Sequence, residues 1–105
     1  MDVNELTGTD LNKAVAECLG IVHTRYNGQV VDEYGNPLMY DDDWSLAGEI
    51  IEREKIATNY SMKRECWFAE NFIETQTEIG ATPLIAAMRC FVASKQGEQD
   101  ANETV

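Results

Sequence analysis

Leu11, Ala14, Val15, Cys18 and Leu19 recur at spacings of three and four residues. That period lays one apolar stripe along a helix and predicts helical structure over residues 7–20. Thr7 or Thr9 is placed to cap its start, Asp10 suits the positive end of the helix dipole, and Gly20 ends it. The period then shortens to two in "IVHTRYNGQVVDEY". Asn27-Gly28 between two β-prone runs predicts a hairpin, because both turn residues must accept positive φ. A two-residue turn sets the pairing: Tyr26 opposite Gln29, Arg25 opposite Val30, Thr24 opposite Val31 and His23 opposite Asp32. The loop "GNPLMY" follows, with Gly35-Asn36-Pro37 breaking regular structure.

Trp44, Ala47, Gly48 and Ile51, joined by Ile50, fall on one face of a second helix. Asp41, Asp42 and Asp43 stand directly before it, where a carboxylate satisfies unpaired N–H groups and the helix dipole. The triple aspartate therefore reads as a cap. A metal site would need further ligands, such as Glu33 or Glu65, to converge from elsewhere. "IATNYSMKRECWFAENF" predicts two strands around a turn near Ser61–Lys63, with Glu65, Trp67 and Ala69 alternating with Cys66, Phe68 and Glu70. Residues 82–96 predict a third helix, capped by Thr82, opened by Pro83 and ended by Gly97. Its apolar face holds Leu84, Ile85, Met88, Phe91 and Val92. The predicted order is α-β-β-α-β-β-α. Three helical stripes are buried most simply against one face of a four-stranded antiparallel sheet, an α+β fold. The expected domain is 1–96, followed by a disordered acidic tail at 97–105.

A length of 105 residues supports one domain with a modest core. The longest uncharged apolar stretch, Leu84 to Met88, is too short to span a bilayer. The start, MDVNELTGTD, lacks the basic and apolar regions of a signal peptide and predicts a cytoplasmic protein. Cys18, Cys66 and Cys90 are odd in number and lie at apolar positions, so they read as reduced core residues. The net charge of −11 disfavours nonspecific attraction to DNA, RNA or anionic lipid. Acids dominate both halves, with eleven against three basic residues in 1–53 and eight against five in 54–105. No basic stripe is hidden in the average.

Candidate chemistry is sparse. His23 opposite Asp32 is an imidazole–carboxylate pair that could orient a general base, but no nucleophile is evident beside it. It reads as a surface sheet pair. There is no G-x-S-x-G, P-loop, GxGxxG or HExxH pattern. The expectation is a protein that is not an enzyme and takes no cofactor. Binding has better material. Trp44 and Trp67 could stack a planar ligand, with Tyr40 a further aromatic candidate and Arg25, Arg64 or Arg89 contacting anionic groups. Either tryptophan could equally be core.

Four ordered blocks carry a resemblance: "ELTGTDLNKAVAECLG" at the start, "DW" followed by "IIEREKI" in the middle, Trp67-x-Ala69, and "TPLIAAMRCFVASKQG" at 82–97. Together they resemble the phage NinX family, small proteins encoded in the nin region of lambdoid phages and in related prophages. The likeness covers most of the chain except the loop at 33–40 and the tail. It implies a phage origin, a dispensable accessory role and the host cytoplasm, and brings no established biochemical activity.

The leading expectation is thus a phage accessory protein that binds a partner in host takeover or counter-defence. The first candidate ligand is small, anionic and nucleotide-like, held between aromatic residues and one or two arginines. The alternative is an acidic inhibitor that binds a host protein by mimicking nucleic acid, and an enzyme with an unfamiliar site comes third. Self-association stays open.

Overall fold

In the computed structural model, which describes residues 2–71 and 76–103, the first apolar stripe becomes helix α1 (Gly8–Leu19). Thr7 takes the N-cap position with extended backbone but makes no side-chain cap bond. The Thr9 hydroxyl instead donates to the Gly28 carbonyl at 2.8 Å, tying the start of the helix to the hairpin turn. Gly20 closes α1 in the left-handed region at φ 70°, where a side chain would be strained. A short 3-10 turn, Val3–Glu5, precedes it.

The hairpin forms in the predicted register, with β1 (His23–Tyr26) paired antiparallel to β2 (Gln29–Asp32). Asn27 and Gly28 adopt φ values of 51° and 77°, as a two-residue turn of the primed type demands. Helix α2 (Trp44–Glu54) begins where the aspartates predict, with Asp43 as N-cap accepting from the Ser45 N–H at 2.9 Å. Strands β3 (Ile56–Ser61), β4 (Cys66–Asn71) and β5 (Gln76–Gly80) follow, and then α3 (Pro83–Glu103).

The α+β class and the order of helices and hairpins are those predicted; the strands are distributed differently. They form a two-stranded sheet, β1-β2, and a separate three-stranded antiparallel sheet, β3-β4-β5. Strand β5 is the element that the sequence pattern conceals. The β3–β4 turn also sits later than predicted, at 62–65, with Glu65 in the left-handed region and outside the strand. The backbone of α3 remains helical to Glu103, so Gly97 does not end it.

Helix α3 lies across β3, β4 and β5 and also touches α1, α2 and the 3-10 turn. Leu84, Met88, Phe91 and Val92 of α3 are buried together with Leu11 and Val15 of α1. Burying a side chain such as Phe91 contributes about 1.5–3 kcal/mol, so this one face carries much of the stability. A further tie joins α3 to α2, where Lys95 Nζ lies 3.0 Å from a Glu54 carboxylate oxygen. Burial alone would raise the Glu54 carboxyl, but hydrogen bonds from Lys95 and Arg53 bring it below its ordinary range.

Among the described residues the three-stranded sheet is covered on one side only, by α3. Ile56, Trp67 and Ala69 face α3 and join the core. By alternation Cys66, Phe68 and Glu70 face away, beside their cross-strand partners Ser61, Asn59 and Ala57 on β3.

Candidate functional site

The segment from Pro37 to Trp44 is placed by two anchors. At its start Asp32 organises the bend after β2. Its Oδ1 accepts from the backbone N–H of Tyr34 at 2.9 Å and of Asn36 at 2.8 Å, and Oδ2 accepts from the Asn36 side chain at 3.3 Å. The Asn36 N–H, then those of Tyr34 and Gly35, hold the Asp32 carboxyl below its usual value. Gly35 makes the bend possible at φ 84°. Leu38 then bonds back to the Val30 carbonyl at 2.8 Å, and Leu38 and Tyr40 enter the core.

At the other end Asp43 caps α2. Its Oδ1 accepts from the Ser45 hydroxyl at 2.6 Å as well as from the Ser45 N–H, and these two bonds lower its carboxyl pKa. Asp41 turns the other way, its N–H donating to the Asn12 side chain on α1 at 2.9 Å, while its buried Oδ1 has no partner among the described residues. The three aspartates therefore serve different neighbours. Among the described residues no group of three or more His, Cys, Asp or Glu side chains is placed to hold a metal ion.

Held between these anchors, Trp44 opens α2 with 56% of its surface exposed. It lines an open hollow of about 440 Å³ with Pro37, Met39, Asp42 and Asp43. A large aromatic ring is thus presented on a ledge with apolar neighbours and two carboxylates, and among the described residues no basic one lines the hollow.

The other candidate residues lie elsewhere. Trp67 faces the core from β4 and meets the Tyr60 ring edge-on, with centroids 5.3 Å apart and planes at 66°. Tyr40 is only 3% exposed. It walls a second hollow of about 370 Å³ with Asp32, Glu49 and Arg53 beside aliphatic side chains. Burial, then the Asp32 charge, raises its hydroxyl pKa. Arg25 is exposed on the hairpin and pairs with Asp10 of α1 at 3.4 Å. Arg89 corrects the expectation of a guanidinium available to a ligand. It is 9% exposed, with Nε donating to the Leu6 carbonyl at 3.1 Å and Nη1 to the Ile79 carbonyl at 2.9 Å. It clasps the N-terminal segment and β5 to α3.

His23 and Asp32 stand opposite each other as predicted, but they do not form a working pair. The His23 Nδ1 bonds to the Ile21 carbonyl at 2.8 Å, and the Asp32 carboxylate is committed to the following bend. Sequence reasoning missed that bend because an Asp at a strand end is common. The signal was available in Asp32-x-x-Gly35-Asn36, whose acceptor, bend and donors are spaced for a side-chain-closed turn.

The family model described as Bacteriophage P22, NinX matches residues 2–95. That span takes in all four of the sequence blocks quoted above up to Lys95. No curated protein matches the chain.

Proposed function

The chain belongs to the bacteriophage P22 NinX family, and on that premise we propose that it is a phage accessory protein acting by engaging a basic surface of a host protein. Trp44 is the anchor of that contact, and the host cytoplasm is where it occurs. The observation that carries this reading is the exposure of Trp44 on a ledge whose charged lining, among the described residues, is Asp42 and Asp43. Tryptophan is among the residues most enriched at interface hot spots, where it fills a pocket of the partner. Carboxylates around it select a cationic partner surface, and the net charge of −11 speeds the encounter. Among the described residues no helix is long and apolar enough to cross a membrane.

The small anionic ligand has less support. A nucleotide-like molecule stacked on Trp44 would meet two carboxylates and, among the described residues lining the hollow, no cation. Arg25 is engaged with Asp10, and Arg89 holds backbone carbonyls in the core. The contact we propose needs no catalytic group, and its purpose is host takeover or counter-defence.

The test is to recover host proteins on the immobilised chain and on its Trp44→Ala variant, then titrate each recovered protein. The expected partner is basic, binds less tightly as salt rises, and loses about 2 kcal/mol or more of affinity with Trp44→Ala. Stabilisation of the free protein by a cyclic nucleotide or ADP-ribose derivative, growing with the logarithm of ligand concentration, would overturn this reading in favour of the small ligand.

A further inference from the structure

We propose that the face of the β3-β4-β5 sheet turned away from α3 is where two copies of this chain meet. Their two-fold arrangement sets Arg64 of each copy against Glu70 of the other. The first observation is an inversion in β5. Its apolar Ile79 points outward and is 37% exposed, while its acidic Glu78 is half-buried on the side of α3. Burial raises the Glu78 carboxyl, with a hydrogen bond from Gln76 and the charge of Arg89 opposing that rise. Ile79 is the cross-strand partner of Phe68, which also faces outward from the central strand. Placing isoleucine and phenylalanine side by side on the open face of a sheet runs against the usual apolar-in pattern.

The second observation is the charge of this face. Its hollow of about 240 Å³ is lined by one base, Arg64, and one acid, Glu70, alongside Phe68, Ile79 and Cys66. A two-fold contact brings the same patch of both copies together, so any net charge on the patch meets itself. On a chain of net charge −11, a locally neutral apolar face is where a copy can approach without facing a like-charged patch.

The third observation is the order of these residues. Arg64 lies in the turn before β4, and Cys66, Phe68 and Glu70 follow at intervals of two along the strand. Cys66 to Glu70 spans about 13 Å. When two such faces pack about 10 Å apart with strands roughly 30° from antiparallel, an axis between Cys66 and Phe68 exchanges the two ends. Arg64 then meets Glu70 twice, and the Phe68 and Ile79 side chains fill the centre. Among the described residues neither Arg64 nor Glu70 has an ion-pair partner within its own chain.

Sedimentation equilibrium of the full chain under reducing conditions tests the proposal. The mass should rise with concentration from that of one 11.8 kDa chain towards twice that value. Arg64→Glu and Glu70→Arg should each raise the dissociation constant about tenfold or more, because like charges then oppose at both ends. The double variant Arg64→Glu/Glu70→Arg should restore association, and circular dichroism should show all three variants folded as the parent. A single-chain mass at every concentration would overturn the proposal. So would a dimer indifferent to both reversals, or one that the double variant fails to restore. Phe68→Asp gives an independent check: a folded variant that still associates as the parent does would place the contact on another face.

Discussion

Gly80 on β5 lies against the first turns of α3, so close that a Cβ there would stand 2.6 Å from the Ala86 backbone nitrogen. The same Cβ would meet Ile85 Cγ2 at 2.9 Å and Ala86 Cα at 3.0 Å. The Ile85 methyl can swing aside, but the helix backbone cannot. Gly80 therefore sets how near α3 comes to the sheet, and it does so through space, since its φ is not in the left-handed region.

Gly80→Ala should accordingly destabilise the domain by about 1–3 kcal/mol, the usual result of forcing volume into a packed contact. A urea titration would show it as a lowered midpoint at unchanged slope. An unchanged midpoint would mean that α3 does not sit on β5 at this point.

Arg89→Met should cost about 1–3 kcal/mol for the buried Leu6 carbonyl left without a donor, and less for the part-buried Ile79 carbonyl. Partner affinity measured on the folded fraction should be unaltered. A variant of parental stability with lost binding would return Arg89 to the list of ligand contacts.

The two tryptophans should separate cleanly. Trp44→Ala should change stability by no more than about 0.5 kcal/mol, as exposed positions usually do. Trp67→Ala removes a ring packed on the core and on Tyr60, and should cost about 2–4 kcal/mol. Chemical denaturation of both variants decides it, and equal losses would contradict the different settings of the two rings.

Acid should weaken the segment between β2 and α2. Asp32 is held below its ordinary pKa by the Asn36 and Tyr34 N–H groups, and Asp43 by the Ser45 hydroxyl and N–H. A depressed folded pKa contributes stability that is fully present above the unfolded value, near ~3.9, and disappears as pH falls through the folded value. Stability should thus decline on acidification below about pH 4. In Asp32→Asn/Asp43→Asn the decline should be shallower, because these two groups no longer take up protons on unfolding. Urea midpoints across that range provide the comparison, and parallel curves would exclude these two carboxyls as the source.

The hairpin was legible because Asn27-Gly28 admits few conformations, and the two-residue turn then leaves one register. The start of α2 was legible for a similar reason: an aspartate before an apolar period has a local job, and Asp43 does it. Strand β5 was hidden because its pattern is inverted, with Gln76 and Glu78 on the covered side and Ile79 outside. A reader of periodicity looks for the opposite. Of the candidate site, exposure was the part that could not be read. Trp44 and Trp67 each lie next to apolar positions of a periodic segment, yet one begins a helix at the surface and the other faces α3 from a central strand. Arg89 misled because arginine is rarely buried, and nothing local announces that two distant carbonyls need its donors.

The central position of α3 has a consequence for how the protein comes into being. Every element that rests on this helix, from the 3-10 turn to β5, is translated before it. Until residues up to about Val92 have cleared the ribosome, the β3-β4-β5 sheet has both faces open and α1 lacks its main partner. Nascent chains stalled before that point should be protease-sensitive along their whole length, and those stalled well after it should become resistant in one step. Assembly is therefore bound to be late and nearly all-or-none, and a chain cut short before α3 leaves no half-built domain behind.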